Sequence, residues 1–201
     1  MLDSKIRGVW DVAMRPVGRA LALTRLSPNA ITVLGLFIHA GVAVLIVRGE
    51  FVTAGLLLIG AALFDTFDGA VAKARGMVTP FGGFLDSTVD RLADALILIA
   101  IAWRFTEAAG PDERQYRWVA IAALVALVSG FLVSYVRARA EALGFECKVG
   151  LAERAERVII LILGLVFTYV LPLAVGLLAV LASVTVLQRI WHVRRQAERA
   201  V

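Results

Sequence analysis

The stretch DTFDGAVAKARGMVTPFGGFLDSTVD, residues 65–90, sets four aspartates in two pairs, Asp65 with Asp68 and Asp86 with Asp90. Apolar runs flank it, GLLLIGAALF before Asp65 and LILIAIAW shortly after Asp90. An ionised carboxylate near hydrocarbon is costly unless it meets a cation, a polar partner or water, so four of them at the ends of apolar segments mark a functional site. Spacings of three and four residues place each pair on one face of a helix. Gly82 and Gly83 allow the chain to reverse, so that two helices bring their acidic faces together, and Gly69 lets a phosphate or another helix approach closely. Four convergent carboxylates with no Cys or His beside them form a set of hard oxygen donors suited to Mg²⁺ or Mn²⁺. Such a set can hold two divalent ions, a clamp for the negative charge of phosphoryl chemistry, so the implied ligand is a phosphate ester or pyrophosphate.

Outward from that stretch the chain reads as a bilayer protein. Of its 201 residues 60% are hydrophobic and 18% charged, and the mean hydropathy is +0.84, a balance that soluble domains rarely have. Apolar segments fall at about 31–48, 51–72, 83–104, 118–138, 152–171 and 173–191, which predicts an all-α integral membrane protein with six transmembrane helices. Arg48-Gly49-Glu50, Pro80-Phe81-Gly82-Gly83, Gly110-Pro111-Asp112 and Pro172 punctuate the spans. Lys and Arg crowd the side that carries the aspartates and the loops after spans two and four, which predicts a cytoplasmic site and two cytoplasmic termini. Basic residues alternate with Ile6, Trp10, Val12, Met14, Val17 and Leu21, so residues 1–28 read as an amphipathic helix in the interface plane, followed by a membrane domain over 29–201. The start lacks the pattern of a cleaved secretory signal. A net charge of +5 suits anionic lipid headgroups, and no groove-reading motif points to nucleic acid. The single cysteine, Cys147, excludes a disulfide within the chain. His39, alone in the first span, reads as a packing residue, and His192 beside Trp191 as an interfacial anchor.

The skeleton D-x-x-D-G-x-x-A-K, eight residues, then G-x-x-x-D-x-x-x-D resembles the signature of the CDP-alcohol phosphotransferase family, with Lys73 where the family usually has Arg. Lysine keeps the positive charge and loses the planar fork. The resemblance extends to Ser27-Pro28-Asn29-Ala30-Ile31-Thr32, similar to the family's P-N-x-x-T entry near the nucleotide. It implies a membrane enzyme, usually a homodimer, in which an alcohol attacks a CDP-linked lipid and CMP leaves. By the same resemblance Asp65, Asp68, Asp86 and Asp90 would hold two Mg²⁺ ions, with Mn²⁺ as a substitute, and Asp90 would also act as the catalytic general base. Asn29, Ile31, Thr32, Gly69, Lys73 and Thr79 would contact the CDP-lipid.

The acceptor is read from the segments after the signature. The runs S-Y-x-R-A-R-A-E from Ser134 and E-R-A-E-R from Glu153 are similar to those of a branch of the family, the bacterial phosphatidylinositol-phosphate synthases. That implies CDP-diacylglycerol as donor and myo-inositol 1-phosphate as acceptor. Ser134, Arg137, Arg154 and Arg194 are the expected acceptor-phosphate ligands, with Arg157 and Arg195 as second choices, because guanidinium forks match phosphate. Glycerol 3-phosphate, the acceptor of phosphatidylglycerophosphate synthases, would suit similar arginines and stays open. A divalent-metal transporter is the reading from another class. It is disfavoured because the carboxylates gather at one membrane face and no inverted repeat is visible.

Overall fold

The computed structural model describes residues 27–74, 79–107, 117–151 and 153–200, the side chains of 66–74 and of 200 excepted. Within them lie six α-helices: α1 (Pro28–Val47), α2 (Phe51–Ala74), α3 (Pro80–Glu107), α4 (Arg117–Ala142), α5 (Arg154–Val166) and α6 (Leu171–Ala200). The predicted interfacial helix over 1–28 falls outside the described residues, apart from its last two.

Local chemistry explains the helix starts. Ser27 caps α1, its hydroxyl oxygen accepting from the Ala30 amide at 3.2 Å, and Pro28 takes the first helical position, where no amide hydrogen is needed. Thr79 serves α3 in the same way, accepting from the Gly82 amide at 3.0 Å. The reversal predicted at Pro80-Phe81-Gly82-Gly83 is therefore corrected: these residues are the first turn of α3, because a capped proline starts a helix. The turn at Arg48-Gly49-Glu50 is where the sequence put it, with Gly49 at φ +81°. The last two spans part at a short 3₁₀ turn, Thr168–Val170, and Pro172 is the second residue of α6.

The principal packing pairs are α1 with α3, α3 with α4, α4 with α6, α6 with α5, α5 with α2 and α2 with α1. Each helix has two main neighbours, so the six close into a ring. Its interior is apolar, with Val42, Ile46, Leu58, Ile97, Ile101, Val119, Leu165 and Val175 almost fully buried in one cluster. Large apolar side chains such as Phe37, Leu173 and Leu187 stand out from the ring, each about 70% exposed. That suits a surface solvated by lipid tails.

Three stretches are long and apolar enough to cross a membrane: Pro28–Val47, Arg117–Ala142 and Thr168–Arg199, with mean hydropathies of 2.5, 2.4 and 2.5. The all-α, multi-pass membrane architecture is as predicted, whereas length and composition support three spans among the described residues and not six. The other helices fall short for identifiable reasons. The α3 helix carries Asp86, Asp90, Arg91, Asp94 and Arg104. The apolar part of α2 ends at Asp65. With 13 residues, α5 is about 20 Å long, against a hydrocarbon core of about 30 Å.

Candidate active site

The charged ends that disqualify α2, α3 and α5 as simple spans meet inside the ring. Asp86, Asp90 and Asp94 recur every four residues on α3, one face of a helix, opposite Arg154 and Arg157 in the first turn of α5. Nη2 of Arg154 lies 3.1 Å from Asp65 Oδ2 and 3.1 Å from Asp90 Oδ1. Arg154 Nε, buried without a hydrogen-bond acceptor, stands 3.8 Å from Asp94 Oδ1. Arg157 Nη2 binds Asp94 Oδ2 at 2.9 Å. Carboxylates from α2 and α3 thus converge on one cation-sized position, filled here by a guanidinium nitrogen.

Two cavities meet at this cluster. One, of about 590 Å³, is bordered by Asp65, Asp86, Asp90, Arg154 and His39 and otherwise by apolar side chains of α2 and α5, Ile59, Leu63, Val158, Ile159 and Ile162 among them. The other, of about 380 Å³, is polar and bordered by Asp90, Arg91, Asp94, Ser134, Arg137, Glu141, Glu153, Arg154, Arg157 and Arg189. Asp90 and Arg154 border both.

The wall of the polar cavity is fastened from α6. Arg189, 2% exposed, donates from Nε to the Val149 carbonyl at 2.8 Å and from Nη1 to the Val133 carbonyl at 2.5 Å. Gln196 grips the backbone of Glu146 twice, donating to its carbonyl at 2.6 Å and accepting from its amide at 3.0 Å. Thr185 Oγ1 accepts from the Leu151 amide at 3.3 Å. These ties bind α4 and the α4–α5 connection, which leads into Arg154, to the last helix. Gly150 runs through it at φ +149°, and a Cβ there would stand 2.6 Å from Thr185 Cγ2. Both facts restrict the position to glycine.

Asp65, Asp86, Asp90 and Arg154 come together, and Ser134 and Arg137 border the polar cavity. The side chains of Asp68, Gly69 and Lys73 lie outside the described residues. Arg194 is not among the residues bordering the cavity; it is exposed and paired with Glu198 at 2.7 Å. Arg157 and Arg189 do border that cavity. Asn29 adjoins the start of α3, its Oδ1 3.5 Å from where a Cβ on Gly82 would stand. Thr79 caps that helix. The Ile31 side chain is buried, 1% exposed, and the Thr32 hydroxyl donates to the Pro28 carbonyl at 3.2 Å. Asp94 was legible, since it continues the four-residue period of Asp86 and Asp90. Arg189 was signalled only by being an arginine inside an apolar run.

Among the described residues no three acidic, His or Cys side chains are grouped to hold a metal ion. The donor chemistry nevertheless fits one: every donor is a hard oxygen, and Asp65 and Asp90 already converge on a cation.

An all-α membrane bundle whose aspartates meet Arg154 and Arg157 between an apolar and a polar cavity is the frame of an enzyme joining a lipid to a polar anion. Residues 25–191 match the CDP-alcohol phosphatidyltransferase family, and the chain belongs to that family. It is 41% identical over 184 residues to the archaetidylinositol phosphate synthase of Methanothermobacter thermautotrophicus, covering 89% of this chain and 87% of that one. Its fold is similar to the crystal structure of Mycobacterium tuberculosis phosphatidylinositol phosphate synthase with CDP-DAG bound, with a TM-score of 0.81, 32% identity, and 90% and 92% of the two chains covered. The same enzyme in complex with manganese and citrate matches with a TM-score of 0.80 and 34% identity over 90% and 88% of the chains.

Proposed function

We propose that this chain transfers the phosphatidyl group of CDP-diacylglycerol to myo-inositol 1-phosphate, giving phosphatidylinositol phosphate and CMP. The observation that carries the reading is that Asp90 and Arg154 border both cavities. A lipid diphosphate in the apolar cavity and a phosphorylated alcohol in the basic one would meet at those two side chains. The solved relative's bound CDP-DAG supports the donor. The relatives are inositol phosphate lipid synthases that differ in the lipid part, archaetidyl or phosphatidyl, which supports the acceptor.

In this reading Ser134, Arg137, Arg154, Arg157 and Arg189 surround the acceptor phosphate, and the acceptor hydroxyl turns toward Asp90. The Asp90 carboxylate takes the hydroxyl proton as the oxygen attacks the β-phosphorus. The new P–O bond forms while the bond to CMP breaks, and the electron pair leaves with CMP. Asp65, Asp68, Asp86 and Asp90 would hold two divalent ions, Mg²⁺ or Mn²⁺. Such ions supply charge neutralisation at a pyrophosphate. Manganese in the solved relative supports the metal type. Asn29, Ile31, Thr32, Gly69, Lys73 and Thr79 remain the proposed neighbours of the nucleotide.

The reading extends to topology. We take all six helices as membrane-embedded, α5 spanning together with the 3₁₀ turn that follows it, and the charged ends of α2, α3 and α5 facing the ring interior. The amphipathic segment 1–28 lies on the surface of the cell membrane, the domain 29–201 within it, and the site and both termini face the cytoplasm. A homodimer is part of the same reading, carried by the family resemblance.

The test is CMP release by the purified protein in detergent with CDP-diacylglycerol and Mg²⁺. Release is expected with myo-inositol 1-phosphate, is lost on EDTA treatment and returns with Mn²⁺. Release with glycerol 3-phosphate alone would overturn the acceptor, and turnover unaffected by EDTA would overturn the metal site.

A further inference from the structure

Asp65 rests against α1 in a way the proposed chemistry leaves unused. His39 lies in the apolar middle of α1 and is 3% exposed. Its Nδ1 stands 2.9 Å from the Gly35 carbonyl oxygen one turn earlier. A carbonyl only accepts, so Nδ1 carries a hydrogen, and the ring is held with Nε2 facing Asp65, 3.8 Å from Oδ2. On the other side of the carboxylate, a Cβ on Gly35 would come within 2.9 Å of Asp65 Oδ1. One oxygen of Asp65 therefore lies over bare backbone, while the other faces the imidazole and Arg154. Gly35 and His39 are four residues apart, so they form one face of α1.

Filling space does not explain this arrangement. An apolar side chain would occupy the middle of α1 without burying two ring nitrogens, a burial that is costly unless both find polar partners. His39 also borders the carboxylate cavity, where a space-filling residue needs no polar edge.

We propose that His39 and Gly35 are positioning residues for Asp65, forming a seat on α1 that fixes the direction in which this carboxylate offers its oxygens to a divalent cation. The proposal rests on the metal site of the preceding section and assigns α1 a share in it. Partners that orient a metal-binding carboxylate govern affinity although they never touch the ion.

The experiment is isothermal titration of Mn²⁺ into the full-length protein in detergent, paired with steady-state CMP release, for wild type, His39→Leu, His39→Gln, Gly35→Ala and Asp65→Asn. His39→Leu is expected to weaken Mn²⁺ binding about tenfold to a hundredfold, with a matching fall in kcat. The KM for myo-inositol 1-phosphate should stay within roughly twofold, because the acceptor pocket is untouched. His39→Gln, which can turn a nitrogen toward Asp65, should recover part of the affinity. Gly35→Ala, whose Cβ would displace Oδ1, should weaken Mn²⁺ in the same way and keeps the test alive where His39→Leu does not fold. Wild-type Mn²⁺ affinity in a folded His39→Leu or Gly35→Ala protein would overturn the proposal. Wild-type affinity in Asp65→Asn would overturn the metal site itself, and the seat with it.

Discussion

Arg154 meets Asp65, Asp90 and Asp94 at distances of 3.1, 3.1 and 3.8 Å, so a single guanidinium balances acid from two helices. Taking one partner from a buried charge cluster leaves the others unbalanced, which costs more than the cluster contributes as a whole. Arg154→Ala should therefore lower the thermal transition of the purified protein and raise the KM for inositol phosphate together. Arg194→Ala should leave that KM within roughly twofold, since a solvent-facing pair with Glu198 contributes little. Asp90→Asn should cut kcat by roughly a hundredfold or more while the thermal transition survives. Wild-type turnover in that variant would remove the general base from the scheme. The aspartates were legible because helical periodicity alone gathers them. Arg189 was not, because its partners are backbone carbonyls 40 and 56 residues away, which no local pattern encodes.

The connection between α4 and α5 behaves as a structural element although it has no regular secondary structure. Thr185, Arg189 and Gln196 tie it to α6, and it delivers Arg154 and Arg157 to the site. Gly150→Ala should destabilise the protein by about 1–3 kcal/mol, from the strained φ and the clash with Thr185. The same variant should raise the acceptor KM more than that of the CDP-lipid; denaturant titration and initial rates check the two effects separately. At this scale the sequence placed four of the six apolar segments within a few residues of their helices, and it stopped the sixth at 191 where α6 runs on to Ala200. It ran the fifth too far, to 171, where α5 ends at Val166, because apolar composition continues through the 3₁₀ turn. It also mistook the first turn of α3 for a reversal, since Pro and Gly break helices in their interiors and begin them at their ends.

For the molecule as a whole, the closed ring means that every helix supplies the site or its support: His39, Asp65, Asp90, Ser134, Arg154 and Arg189 come from α1 to α6 in order. The proposed orientation can be tested with reporter fusions. A cytoplasm-specific reporter joined after Val201 should be active and an export-dependent one silent; the reverse would invert the topology. Sequence recovered the chemistry of this centre better than its enclosure, because charge and spacing are local properties and ring closure is not.

The placement of Asp90 and Arg154 between an oily chamber and a watery one has a kinetic consequence. Two substrates that arrived through different doors would not queue. Neither the lipid nor the sugar phosphate, however abundant, would bar the other's way, so double-reciprocal rate plots should intersect and saturation with one substrate should not inhibit use of the other.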